Sequence, residues 1–256
     1  MGNSVAKLAA LDFGIQLLAF LPSSYFQTER FYDLVGSSTF LCLARLGLHF
    51  SQKTFRQRVQ ANLISAWAIR LGLFLFYRVM HDGVDRRFNK VRGNPSIFFK
   101  YWMLQGVWVL VTMLPSLLNN ESKDRLEPTT RDYIGWGMFG VGFLTEVIAD
   151  YQKFTFRSDP DNAGKFISHG LWSISRHPNY FGEILLWSGL FVSASSSFKN
   201  WEWLSIISPL FNYYLLTRVS GIPTLERSGL KRYGHLPAYQ DYIKSVPELI
   251  PFFGKP

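Results

Sequence analysis

The 256 residues contain a single cysteine, Cys42, so a disulfide within one chain and a cysteine-based metal centre are both excluded. It falls inside an apolar run and reads as a core residue. Acidic groups are scarce beside basic ones: 18 Asp and Glu against 27 Lys and Arg give a formal charge of +9 and a pI near 9.7. That balance would suit nucleic acid, but no nucleic-acid motif accompanies it, and no glycine-rich dinucleotide fingerprint occurs. There is no internal repeat, low-complexity segment or Pro/Gly/Ser linker to separate soluble domains. The first residues carry no basic n-region followed by a small-residue cleavage site, so no removed signal peptide is expected. Met1-Gly2 begins a myristoylation pattern, but Ala6 stands where Ser or Thr is wanted.

What the chain does have is a series of apolar runs about 20 residues long, the length needed to cross a bilayer. Candidate spans lie near 4–22, 30–50, 59–80, 98–119, 131–151, 180–198 and 201–217. They predict an all-α polytopic membrane protein of about seven transmembrane helices with a C-terminal cytosolic tail. Mean hydropathy is only +0.05, because the loops are long and basic and several spans carry polar residues such as Arg70, Gln105, Asp150 and Glu183. With seven spans, the segments 78–100, 152–179 and the tail from 218 share one side and hold sixteen Lys or Arg, against eight on the other. The positive-inside rule makes the richer side cytosolic. Aromatic residues, 17% of the chain, supply interfacial belts, and Trp201 and Trp203 have the look of such an anchor. Gly135, Gly137, Gly140 and Gly142 give the fifth span a surface for close helix packing.

The most informative stretch is 170–192, where a polar cluster runs directly into an apolar helix. Pro178 suits a first helical turn, and Ser175 or His177 can cap it, which predicts a helix from about 177. Arg176, Asn179, Tyr180, Glu183 and Trp187 then share one face. Membrane helices often begin with interfacial Arg, His, Tyr and Asn that serve only as anchors. Glu183 goes beyond what an anchor requires: a carboxylate that deep in a span should face protein or water and mark a site. The free N–H groups of the helix start, with Arg176, form an anion cradle.

Three further groups fall on the same side. Glu146, Asp150, Lys153 and Arg157 follow helical spacing, although internal i,i+4 pairing explains part of that pattern. The tail carries Glu226-Arg227, Lys231-Arg232-Tyr233, Tyr239 and Tyr242 before Ile250-Pro251-Phe252-Phe253, much of which an amphipathic interfacial helix would explain. Trp67, Arg70 and Phe74 share a face of the third span, where an arginine is hard to dismiss as an anchor. Together Arg70, Arg157, Arg176 and Arg227 can neutralise several phosphates, with Tyr and Trp rings to stack on a flat group. Residue chemistry alone reaches a membrane-embedded site for a phosphorylated cofactor, gripped by side chains.

Several stretches carry a resemblance: Trp67-Ala-Ile-Arg70-Leu-Gly-Leu, Asp82 through Asn89, Tyr101 through Trp108, Asp150-Tyr-Gln-Lys-Phe through Arg157, Gly170 through Glu183, and the tail with Tyr242 and Leu249-Ile250-Pro251-Phe252. In these the chain resembles the steroid 5-alpha-reductase superfamily over residues 30–253, and within it a branch of uncharacterised membrane proteins. The resemblance implies a seven-helix reductase that binds NADPH from the cytosol and reduces a carbon-carbon double bond conjugated to a carbonyl in a steroid-like or fatty substrate. It implies Arg70, Asp150, Arg157, Asn179 and Glu183 as cofactor contacts, with Arg176, Tyr180, Glu226, Arg227 and Tyr242 in the same motifs. The family's substrate-holding acid on the second span is matched by Asp33. Its tyrosine on the third is replaced by Trp67, whose indole N–H can give a hydrogen bond but no proton. Hydride would reach the β-carbon of an enone while Asp33, if burial raises its pKa, polarises the carbonyl as an acid.

The Arg176-His-Pro-x-Tyr-x-Gly motif is also similar to that of prenylcysteine carboxyl methyltransferases, so an S-adenosylmethionine-dependent methyltransferase is one alternative. A non-enzymatic lipid-binding protein of the same fold, supported by Trp67, is another. The expected organisation is one integral membrane domain over 1–256, with a substrate side at about 1–119 and a cofactor side at about 131–256. Expected partners are a lipid-soluble substrate and membrane lipids, with no nucleic acid and no metal; the chain is expected to be a monomer. Its expected place is the endoplasmic reticulum in a eukaryote or the inner membrane in a bacterium.

Overall fold

The computed structural model describes residues 3–83, 85–123 and 127–253, and among them there is no strand. Helices α1 (Asn3–Tyr25), α2 (Tyr32–His49), α3 (Phe55–Asp82), α4 (Pro95–Glu121), α5 (Thr130–Ser158) and α6 (Pro178–Ala194) follow one another, with the longest connections after α3 and α5. A 3-10 segment at Trp201–Ile206 leads into α7 (Ile207–Tyr214), which ends in a π-turn at Leu215–Val219. Two amphipathic helices, α8 (Ile222–Tyr233) and α9 (Pro237–Ser245), form the tail.

Local chemistry sets the ends. Thr54 and Gln57 form a reciprocal capping box at the start of α3, and Gly83, at φ 79°, closes it in the left-handed conformation. Asn94 accepts from the Ile97 N–H at 3.2 Å with Pro95 in the first turn of α4. Pro178 opens α6 as its fixed φ predicts.

Among the described residues the protein is all-helical, but three helices, not clearly seven, are long and apolar enough by themselves to cross a membrane: Ser4–Tyr25, Phe55–Asp82 and Pro95–Glu121. The other expected spans fall short for local reasons. Helix α2 carries Asp33 and Arg45 in 18 residues, α5 carries Asp132, Glu146 and Asp150, α6 has 17 residues, and the rod at 201–219 is broken into 3-10, α and π pieces.

The chain divides into two compact units, one of residues 1–133 and 191–208, the other of 134–190 and 209–256. In the first, α1 to α4 surround a core in which the Trp67 ring meets Phe40 edge-on at 4.9 Å, and Phe40 meets Trp108 at the same distance. A buried polar chain crosses this core: Gln105 Nε2 donates to Gln16 Oε1 at 3.0 Å, and Gln16 Nε2 donates to Asp12 Oδ1 at 3.2 Å. The fully buried pair Arg56 and Asp132, at 2.6 Å, ties the start of α3 to the start of α5.

In the second unit, α5 and α6 cross at glycines. A Cβ on Gly142 would come within 2.5 Å of the Gly182 carbonyl oxygen, and one on Gly182 equally close to that of Gly142. Gly189 approaches the Gly135 carbonyl in the same way, whereas Gly137 and Gly140 face open space. Two of the four glycines on α5 thus make the close approach that small residues permit.

Candidate cofactor site

The site of the second unit is built around the loop 170–177, held on one side by α5 and on the other by the tail. Gly170 takes φ +60°, where a Cβ would collide with the Gln152 side chain, and Gln152 Oε1 accepts from the Leu171 N–H at 3.0 Å. The Trp172 indole donates to the Ala149 carbonyl at 3.0 Å, and Lys153 Nζ sits 4.1 Å above the Trp172 ring. From the tail, the Tyr242 hydroxyl donates to the Trp172 carbonyl at 2.7 Å. The Arg176 N–H donates to the Pro247 carbonyl at 2.9 Å, the Ser175 hydroxyl to that of Leu249 at 2.7 Å, and the Phe252 N–H to that of Ile174 at 3.3 Å. Residues 247–252 therefore clasp the loop from behind.

Between these elements lies a cavity of about 110 Å³. Its walls include Lys153, Arg157, Lys165, Arg176 and Arg232, with Glu226 as the acid among them. Its lining is also aromatic: Phe166 packs against Tyr239 at 5.0 Å, Tyr242 at 5.3 Å and Tyr233 at 5.9 Å. Basic groups together with a ring cluster suit a phosphorylated ligand with a flat moiety. The volume is below the 300–1,000 Å³ or so of a complete small-molecule pocket, so it holds only part of a ligand of that size.

The electrostatics centre on His177 and Glu226, whose Nε2 and Oε1 are 2.8 Å apart. Burial drives the His177 imidazole below its ordinary 6.5, reinforced by the charges of Lys153 and Arg176 and opposed by Glu226. Burial alone would raise Glu226, but the hydrogen bond from His177 and the Arg176 and Lys153 charges outweigh it and hold the carboxyl below its ordinary 4.5. Burial pushes the Tyr239 and Tyr242 phenols up, so both remain hydrogen-bond donors at neutral pH. Arg176 is committed on several sides: Nη1 donates to the Ile243 carbonyl at 2.9 Å, while Glu226 and Glu248 lie 3.7 and 3.5 Å away. Three buried atoms at this junction have no hydrogen-bond partner: Arg176 Nε, His177 Nδ1 and Asn179 Oδ1. Such atoms are costly unless a ligand or water meets them, and with the basic wall they fit a polar anionic cofactor.

The sequence-predicted residues divide into groups. Arg157, Arg176, Glu226 and Tyr242 line the cavity, with Arg227 beside Glu226 and exposed on α8. Asp150 and Asn179 form a pair, the Asn179 amide donating to Asp150 Oδ1 at 3.2 Å. Tyr180 stacks on His177 with ring centres 5.8 Å apart, and Glu183 follows one turn further along α6.

Arg70, Asp33 and Trp67 belong to the first unit. The Arg70 guanidinium lies 5.3 Å from the Phe74 ring. Asp33 accepts from Arg87 Nη2 at 2.5 Å, with Arg78 4.0 Å away, and Arg87 also grips Asp85. Trp67 is fully buried among aromatic rings.

Lys153, Lys165, Phe166, Trp172, His177 and Arg232 were not among the expected contacts. His177 read as a cap, and its acid partner stands 49 residues downstream, a pairing invisible in one sequence. Lys153 was visible in the helical pattern of α5, where pairing within the helix was enough to account for it.

A family model and relatives named as a steroid 5-alpha-reductase and an O-methyltransferase fit this chain to a 5-alpha-reductase-like superfamily. The chain belongs to the family described as Protein of unknown function (DUF1295), whose model matches residues 19–246. It is 30% identical over 109 residues to a probable O-methyltransferase of Ustilaginoidea virens, covering 39% of this chain and 38% of that protein. To a steroid 5-alpha-reductase of Gossypium hirsutum it is 30% identical over 116 residues, 45% of this chain and 40% of the relative. An uncharacterized protein of Schizosaccharomyces pombe is 24% identical over 251 residues, 85% of this chain and 70% of that protein. The chain thus spans about two fifths of the reductase and of the methyltransferase it matches. No solved structure matches it.

Proposed function

We propose that this protein is an NADPH-dependent oxidoreductase that reduces a carbon-carbon double bond conjugated to a carbonyl in a lipid-soluble substrate. The observation that carries the reading is a cavity lined by five Lys and Arg side chains together with an aromatic cluster, in a chain related to a steroid 5-alpha-reductase. When bound, NADPH supplies a hydride. Lys153, Arg157, Lys165 and Arg232 would hold its phosphates, Tyr239 and Tyr242 would pack against a ring, and Arg176 would fix the loop on which the others depend. Asp150 and Asn179, already paired, would position ribose or amide groups, with Glu183, Glu226, Tyr180, Arg227 and Arg70 completing the set by family resemblance. On the substrate side, Asp33 would act through Arg87, whose guanidinium it orients as the donor to the carbonyl. Trp67, fully buried, stands in the set by family resemblance alone, and the proton that follows the hydride would come from solvent. The Arg87 grip on Asp33 gives that carboxyl a fixed orientation. Unchanged turnover in Asp33→Asn would remove it from the mechanism.

The same reading includes seven spans in one integral domain, a monomer in the endoplasmic reticulum or bacterial inner membrane, and no nucleic-acid partner. The identity to a probable O-methyltransferase favours S-adenosylmethionine as the second reading. Five basic side chains argue against it, since that cofactor has no phosphates to neutralise.

Detergent-purified protein titrated with NADPH and, separately, with S-adenosylhomocysteine separates the two, because a ligand of the native state raises the melting temperature. A rise of several degrees with NADPH alone is expected. A rise with S-adenosylhomocysteine alone would replace the reductase reading with the methyltransferase one, and a rise with neither would leave a lipid-binding protein. The Lys165→Ala, Arg232→Ala double variant removes two exposed wall charges and should weaken NADPH about fivefold to tenfold, with a shallower salt dependence of Kd.

A further inference from the structure

His177 lines the cavity and stands outside the set of cofactor contacts that the family resemblance supplies. Its ring is 4% exposed, and its Nε2 lies 2.8 Å from Glu226 Oε1. An ionised carboxylate has only lone pairs to offer, so the ring proton must sit on Nε2 to make that bond. The depressed basicity of the buried ring keeps it neutral at pH 7. Nδ1 is then an acceptor by elimination, and it is a buried atom with no partner in the protein. Two residues further on, Asn179 repeats the arrangement. Its amide nitrogen donates to Asp150 Oδ1, which fixes the amide orientation and leaves Oδ1 a second buried acceptor without a partner. Two pre-oriented acceptors beside a basic wall call for a ligand that carries negative charge and also presents N–H donors.

We propose that His177, held as an acceptor by Glu226, reads an exocyclic N–H of the dinucleotide, from the carboxamide of the nicotinamide ring or the amine of the adenine ring. The inference rests on the NADPH reading above and makes His177 a specificity-determining contact in it. The Glu226 carboxylate is a positioning group that selects the tautomer.

The test measures Kd on the detergent-purified full chain for three ligands. They are NADPH, its 3-acetylpyridine analogue, in which a methyl group replaces the carboxamide nitrogen, and its etheno-adenine analogue, in which the exocyclic amine is closed into a ring. The wild type should bind one analogue about tenfold more weakly than NADPH, and which one identifies the source of the N–H. His177→Leu should bind that analogue and NADPH equally. Glu226→Gln, which keeps the shape of the side chain but lets the imidazole choose either tautomer, should also lose most of the discrimination, and it serves if the leucine variant does not fold. Equal binding of all three ligands by the wild type, or full discrimination retained in either variant, overturns the inference while leaving the NADPH reading intact. Absence of NADPH binding by the wild type overturns that reading and the inference with it, and shows in the parent titration alone.

Discussion

Burying a histidine against a carboxylate makes residue 177 a source of acid sensitivity, and the sign can be worked out. In the unfolded chain the imidazole titrates near 6.5, whereas in the fold its pKa is lower. Between those two values the unfolded state binds more protons, so stability rises with pH there and is lost as pH falls. Glu226, depressed from 4.5, adds a second loss in the same direction at lower pH. Melting temperature measured from about pH 7.5 down to about pH 5 should therefore fall, beginning below the ordinary histidine value. His177→Gln, which cannot titrate, should flatten the first part of that fall; an unchanged slope would place the acid sensitivity elsewhere. The Asp150–Asn179 pair and the Tyr180 ring on His177 surround the same point, so a change at 177 is felt by its neighbours on α5 and α6.

For the helices, the sharpest constraint is the crossing of α5 and α6. Gly142→Val would drive a branched side chain into the Gly182 carbonyl, costing about 1–3 kcal/mol or more and lowering the melting temperature by several degrees. Gly140→Ala, which faces open space, should leave it unchanged within error. A thermal-shift measurement on the two variants distinguishes packing at the crossing from a general intolerance of the helix.

These elements also show what can be read from sequence. The start of α6 was legible because Pro178 acts on its own turn, whereas α3 and α4 were placed by their apolar runs at 59 and 98 and begin earlier, at Phe55 and Pro95, where the Thr54–Gln57 capping box and Asn94 set the ends. The glycines were legible as a packing surface, but which two of four make contact depends on the partner helix. The π-turn at Leu215–Val219 has no sequence signal, since its extra residue is fixed by packing of the surrounding chain. Arg176 and Tyr242 were found through their motifs. The His177–Glu226 bond and the grip of Arg87 on Asp33 join distant segments and appear only once the chain is folded.

At the scale of the whole molecule, the charge asymmetry becomes a topology that can be measured. In a Cys42→Ala background, Lys165→Cys in the cavity wall should be labelled from the cytosolic face of sealed vesicles and Lys199→Cys from the opposite face. Labelling of both from one side would contradict the seven-span arrangement. The clasp formed by residues 247–252 on the loop 174–176 has a temporal consequence. During synthesis the loop emerges about seventy residues before its fastener, and in that interval the basic wall has nothing behind it. A nascent chain can therefore pack α5 on α6 while the cavity is still open at the back. The cavity is secured in a single late step, once the stretch through Phe252 has been made.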